Sequence, residues 1–197
     1  NGLTVGRSTT ATWSANVQGI YIGTTSISTG AGSIKMAGLS WDTGVGNGTS
    51  NYGVWVDRGS SLQTTTGSLT VEGEVKGKFV SGIGTMIGTR SDAGNVTLQT
   101  GVGAISITGS GSDGAAGTST GNRHGLVVYG GNANDVITVK SHSGAITLTG
   151  TAAFNHSNND VSGIQFQNNN NNITSSRILV VSQTGQISLQ GSTINAA

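Results

Sequence analysis

Apolar residues stand two apart through most of this chain, and they do so within a recurring frame. From Leu98 to Gly109 an apolar residue is followed two positions on by Thr100 and five positions on by Gly103; the alternating pair Ile105/Ile107 comes next, and Gly109 ends the unit. The same spacing recurs at Ile27–Gly38, Leu62–Gly73, Val139–Gly150 and Val180–Gly191, with no gap inside any copy. Residues at i and i+2 share one side of a strand, and the residue between them takes the other side. The unit therefore predicts a strand end, a sharp corner at Gly, and a second strand with one buried face, closed by the second Gly.

A second element precedes each unit: Gly followed by an alternating apolar pair. It reads Gly19-Ile20-Tyr21-Ile22, Gly53-Val54-Trp55-Val56, Gly125-Leu126-Val127-Val128 and Gly163-Ile164-Gln165-Phe166. A weaker copy opens at Gly82 and runs through Ile83, Met86 and Ile87. The corner residues Gly32, Gly67, Gly103, Gly144 and Gly185 are separated by 35, 36, 41 and 41 positions. Self-similarity at such a period marks a solenoid or a propeller. A propeller blade needs four strands joined by tight reversals, whereas each repeat here supplies about three short strands joined by corners. The sequence predicts an all-β chain, a single parallel β-helix (β-solenoid) domain over residues 1–197. It has about five three-sided rungs beginning near residues 19, 53, 82, 125 and 163, with loop insertions at two corners. At about 4.8 Å per rung the rod is about 24 Å long.

Composition narrows the chemistry. The chain has 197 residues with 34 Gly, no Pro and no Cys, 9% charged residues and a formal net charge of +1. That balance gives no general affinity for nucleic acid or acidic membranes, and it leaves neither disulfides nor thiol chemistry. The chain shows no initiator Met, leader or long apolar run, so it is expected to be a mature processed protein or a segment of something longer, and not membrane-embedded.

Candidate reactive groups are few. Glu72 and Glu74 form the only close carboxylate pair; on one outer strand face beside Lys76 and Lys78 they are expected to be solvated charges and not a glycosidase pair. Asp57, Asp92, Asp113, Asp135 and Asp160 are scattered, and His124, His142 and His156 lack metal-ligand spacing, so no catalytic group, metal or cofactor is expected. Thr29, Thr64, Thr100, Ser141 and Ser182 read as corner hydroxyls that bond along the ladder; a nucleophilic reading would have only His142 as a base. Aromatic residues are the better binding candidates. Tyr21 and Trp55 occupy the outward position in successive rungs and should stack outside the barrel, and Trp13 and Trp41 lie in segments that could fold over them. Loop cover, an oligomer interface and a sugar-binding platform are all open readings of this group.

A solenoid ends in unpaired strands, and no capping helix or charged terminal rung is recognisable. Thr193–Ala197 read into Asn1–Val5 resembles one further unit, short by one residue, so the expected partner is a second copy stacked end to end or the flanking rungs of a longer chain. Phrases such as Gly94-Asn95-Val96-Thr97-Leu98 with Gly103-Ala104-Ile105-Ser106-Ile107-Thr108-Gly109, and Ser143-Gly144-Ala145-Ile146-Thr147-Leu148-Thr149-Gly150, resemble filamentous-haemagglutinin-type adhesins. They are also similar to autotransporter passengers and the repeat regions of large bacterial surface proteins. The resemblance covers nearly the whole chain, although these repeats are longer and no secretion domain is visible. It implies a right-handed β-helix, secretion to a bacterial surface, and a non-enzymatic role in adhesion or as a spacer, with a carbohydrate or host surface as a further partner. It carries over no functional residue. The alternatives are a subunit that stacks head to tail into an extracellular filament or sheath and, in a different class, a polysaccharide-binding or polysaccharide-degrading β-helix.

Overall fold

The computed structural model describes residues 18–42, 51–77, 82–89, 94–111, 123–154, 160–168 and 176–195. Period-two alternation becomes fifteen strands in these residues, three per coil. The first coil is β1 (Gln18–Ile22), β2 (Ser26–Thr29) and β3 (Ile34–Asp42); the second is β4 (Asn51–Val56), β5 (Ser61–Thr64) and β6 (Leu69–Gly77). The third is β7 (Gly82–Thr89), β8 (Val96–Thr100) and β9 (Ile105–Ser110); the fourth is β10 (Arg123–Gly130), β11 (Val136–Ser141) and β12 (Ile146–Phe154). The last is β13 (Val161–Asn168), β14 (Arg177–Ser182) and β15 (Ile187–Asn195).

Each strand pairs in parallel with its counterpart one coil away, which makes three five-stranded sheets: sheet A from β1, β4, β7, β10 and β13, sheet B from β2, β5, β8, β11 and β14, and sheet C from β3, β6, β9, β12 and β15. The chain is a β-solenoid in which four turns carry it from β1 to β13. No described residue is helical. In sheet C, Ile34, Leu69, Ile105, Ile146 and Ile187 stand in register beside Met36, Val71, Ile107, Leu148 and Leu189. Ile27, Leu62, Leu98, Val139 and Val180 form the matching column of sheet B. Together with Val54, Val56, Leu126 and Val128 of sheet A, the columns from the first coil to the fourth form one continuous core, with Ile27 and Val180 partly buried against it and Ile187 and Leu189 exposed at its end. A parallel stack buries like on like, so the core is a set of apolar columns along the axis.

Two sequence expectations need correction. The weak third copy does not align on Gly82. Thr85 stands opposite Val54 and Leu126, and Ile87 opposite Val56 and Val128, so the glycine of that coil is Gly84. The fully buried Thr85 tolerates its apolar column because its hydroxyl donates to the Thr108 carbonyl at 2.6 Å. Nor does the second Gly of each unit close its strand. β3, β6, β12 and β15 are each nine residues long and run four residues beyond Gly38, Gly73, Gly150 and Gly191.

The reason is a crossing of sheets A and C. A methyl group on Gly73, Gly109 or Gly150 would fall on the carbonyl of Gly84, Gly125 or Gly163, and one on Gly53, Gly84 or Gly125 would fall on the backbone at Glu74, Ser110 or Thr151. The two glycine columns that frame the repeat are therefore a single feature, the line where two sheets touch backbone to backbone without Cβ atoms between them. Past that line, Ser40, Val75 and Ala152 of sheet C are buried, as are Asn51 and Arg123 of sheet A.

Candidate functional site

The corner hydroxyls show the simplest local chemistry. Thr29 and Thr64 donate to the carbonyls of Gly32 and Gly67, and Thr100 donates to that of Gly103 at 2.6 Å. The serines of the last two coils behave differently. Ser182 accepts from the Gly185 amide at 2.9 Å and donates one coil back to the Gly144 carbonyl at 3.0 Å, and Ser141 accepts from the Gly144 amide at 2.8 Å. Bonding along the ladder thus holds for the serines, whereas the threonines staple their own corners. His142 is exposed at the same corner, and the Ser141 hydroxyl bonds to backbone of Gly101, Gly103 and Gly144.

The aromatic candidates separate into two places. Tyr21 and Trp55 are register neighbours on the outside of sheet A, with ring centroids 5.2 Å apart in an edge-on arrangement. Trp55 also packs on Tyr52 at 4.7 Å and donates its indole N–H to the Gly88 carbonyl at 2.9 Å. Further along the same column, Met86 and Val127 are buried with Tyr52 and Ile83 in a second apolar cluster outside the barrel. Only Tyr21 at the margin is substantially exposed, at 49%. The outer face of sheet A is therefore a covered apolar layer and not an open aromatic platform. The Tyr21 hydroxyl donates to Asp57 Oδ2 at 2.8 Å. Burial, then the hydrogen bond to Asp57 and its negative charge, raise the Tyr21 pKa above its ordinary value, with Arg58 opposing.

Trp41 lies elsewhere, on the outside of sheet C in register with Lys76. Trp13, Lys78, His156, Asp92 and Asp113 lie outside the described residues. The carboxylate pair is on the outer face of β6, as the alternation requires, and each member meets a lysine: Glu72 with Lys35 at 3.3 Å and Glu74 with Lys76 at 3.0 Å. Two adjoining depressions open on this face. One, of about 410 Å³, lies over Glu72, Glu74 and Thr108; the other, of about 540 Å³, extends past Lys76 and Thr151 to Trp41 and Ile194.

One constellation has no signal along the sequence. Parallel register sets His124 of β10 beside Ser162 of β13, 38 positions later, with Nδ1 and Oγ 2.7 Å apart, while Nε2 lies 4.0 Å from Asp160 Oδ2. The residue types are those of a nucleophilic serine site, but the geometry is not. His124 is 1% exposed, and its Asp is beyond hydrogen-bond distance on the nitrogen that would have to be oriented. The contact fastens the last coil to the fourth. Asp135, also buried, caps the corner before β11 by accepting the amides of Gly94 and Asn132 at 2.8 and 2.7 Å. Among the described residues no group of three or more His, Asp or Glu side chains could hold a metal ion.

The two ends of the stack differ. Ile34 and Met36, the core pair of the first coil, are each 7% exposed, whereas Ile187 and Leu189 of the last coil are 41% and 54% exposed. Phe166, Leu179, Val181 and Ile194 of the last coil are exposed with them.

In comparisons with known proteins, no protein-family model, no curated protein and no solved structure matches this chain.

Proposed function

We propose that this chain is a non-enzymatic structural segment of an extracellular β-solenoid rod, working at a bacterial surface in adhesion or as a spacer. The observation that carries this reading is the last coil. Its Ile187 and Leu189 are the same column positions that are fully buried as Ile146 and Leu148 one coil earlier. Among the described residues, β13, β14 and β15 each present an edge with no strand beyond it. Such an end is completed by one more coil in the same register, which buries the apolar pair and pairs the edge amides and carbonyls. The sequence resemblance to filamentous-haemagglutinin-type adhesins supports the surface setting.

The same end favours a second reading, in which the added coil comes from another copy stacked head to tail. The first and last strands of sheet C are both nine residues long and carry the same Gly and apolar spacing, so one could continue the other. Light scattering over a concentration series, with electron microscopy of the purified protein, separates the two. Filaments with an axial repeat near 24 Å, about five strand spacings, that vanish on Leu189→Asp would establish the stacked subunit. A monomer unaffected by Leu189→Asp supports a segment whose neighbours are joined to it covalently. A monomer whose β13–β15 amides exchange as slowly as those of β10–β12 has a closed end, and that result would sink both.

A further inference from the structure

Beyond the glycine crossing, the outward side chains of sheet C line one trough. Its two depressions share Glu74 and Ser110, and together they run along the stacking direction from Trp41 in the first coil to Ile194 in the last. A channel that crosses all five coils suits a linear polymer. Its lining includes the short hydroxylated residues Thr108, Ser110 and Thr151; Ser110 pairs in register with Thr151, whose hydroxyl reaches that of Ser192 one coil on at 3.2 Å. These groups recur at the strand spacing of about 4.8 Å, close to the length of one sugar residue in an extended chain. Both carboxylates on this face are matched by lysines, so the trough presents strong hydrogen-bond acceptors and donors without a net field. At one end Trp41 is 44% exposed and presents a large flat ring.

We propose that this trough binds a neutral, extended polysaccharide chain lying parallel to the solenoid axis. Trp41 stacks on the C–H face of a sugar ring, and Glu74, Ser110 and Thr151 bond to its hydroxyls. A polyanion would meet Glu72 and Glu74, and a polycation would meet Lys35 and Lys76, which leaves the uncharged polymer as the complementary occupant. A peptide added as a strand needs free backbone edges, and in the middle of sheet C the ladder already uses them. The proposal concerns the side of the rod and stands or falls separately from the reading of its end.

Affinity electrophoresis through gels containing hydroxyethylcellulose, xylan, galactomannan or dextran, with pectate as the acidic comparison, tests it. At least one neutral polymer should retard the protein. Trp41→Ala and Ser110→Lys should weaken that retardation about tenfold or more, equivalent to about 1.4 kcal/mol, while Trp41→Phe keeps most of it. Each variant is checked by its thermal melt, so that loss of binding is not loss of fold. No retardation by any neutral polymer, retardation by pectate alone, or equal retardation of Trp41→Ala, Ser110→Lys and the unaltered protein would each overturn the proposal.

Discussion

At the scale of single residues, the glycines of the crossing leave no room for a side chain. Gly109 has the Gly125 carbonyl where a Cβ would go, and backbone on both sides leaves nothing able to move aside. Gly109→Ala should cost about 1–3 kcal/mol or more, by overpacking. Gly30, which has open space around it, should accept Ala within about 0.5 kcal/mol; thermal melts of the two variants side by side make the comparison. Tyr21 gives a pH signature. Its pKa is raised in the folded state, so the stabilisation is fully present below the ordinary value of 10.0 and is lost as the pH rises through the folded value. Denaturant titrations between pH 9 and 12 should therefore show stability falling with pH more steeply in the unaltered protein than in Tyr21→Phe. Equal slopes would mean that the bond to Asp57 is not maintained in solution.

At the scale of elements, the corner between sheets B and C is set by a hydroxyl three residues before a glycine. Thr100 is buried and donates to the Gly103 carbonyl. Thr100→Val keeps the shape and removes the donor, which should cost about 1–3 kcal/mol because the carbonyl loses its partner away from water. Thr100→Ser keeps the hydroxyl and should recover most of that. A Val variant as stable as the parent in chemical denaturation would show that the corner is held by the ladder alone. The strand alternation, the order of the elements and the corner glycines were legible in the sequence, because like residues stack on like and the frame repeats. The length of the sheet C strands was not. Polar Ser40, Asn51 and Arg123 beyond the crossing do not read as buried positions, yet all three are buried where sheets A and C abut.

At the scale of the whole molecule, burial along one column measures what covers each end. Ile107 and Leu189 stand in the same column two coils apart, one fully buried and the other 54% exposed. Ile107→Ala should cost about 2–5 kcal/mol, and Leu189→Ala well under about 1 kcal/mol in an isolated monomer. If the two costs converge as protein concentration rises, another copy is covering the last coil. The candidate binding residues follow the same logic of assembly. Tyr21 and Trp55 meet because successive coils are in register, but Trp41 is drawn to a different face, beside Lys76 and Glu74. Sequence reasoning grouped these aromatics by type, and the coil distributed them by sheet.

The sequence alone determined the repeat, the parallel stack, the three apolar columns and the outward direction of Tyr21, Trp55, Glu72 and Glu74. All of these follow from period-two geometry and a fixed spacing between corners, which are local properties of the chain. Only the tertiary structure decided that the framing glycines form one contact line, that Gly84 and not Gly82 belongs to it, and that Met86 and Val127 are covered. It also set His124 against Ser162 and opened a trough from Trp41 to Ile194. Those features depend on how far one sheet lies from another and on which residues meet across coils some 35–41 positions apart. No alternation within a single strand encodes such a distance.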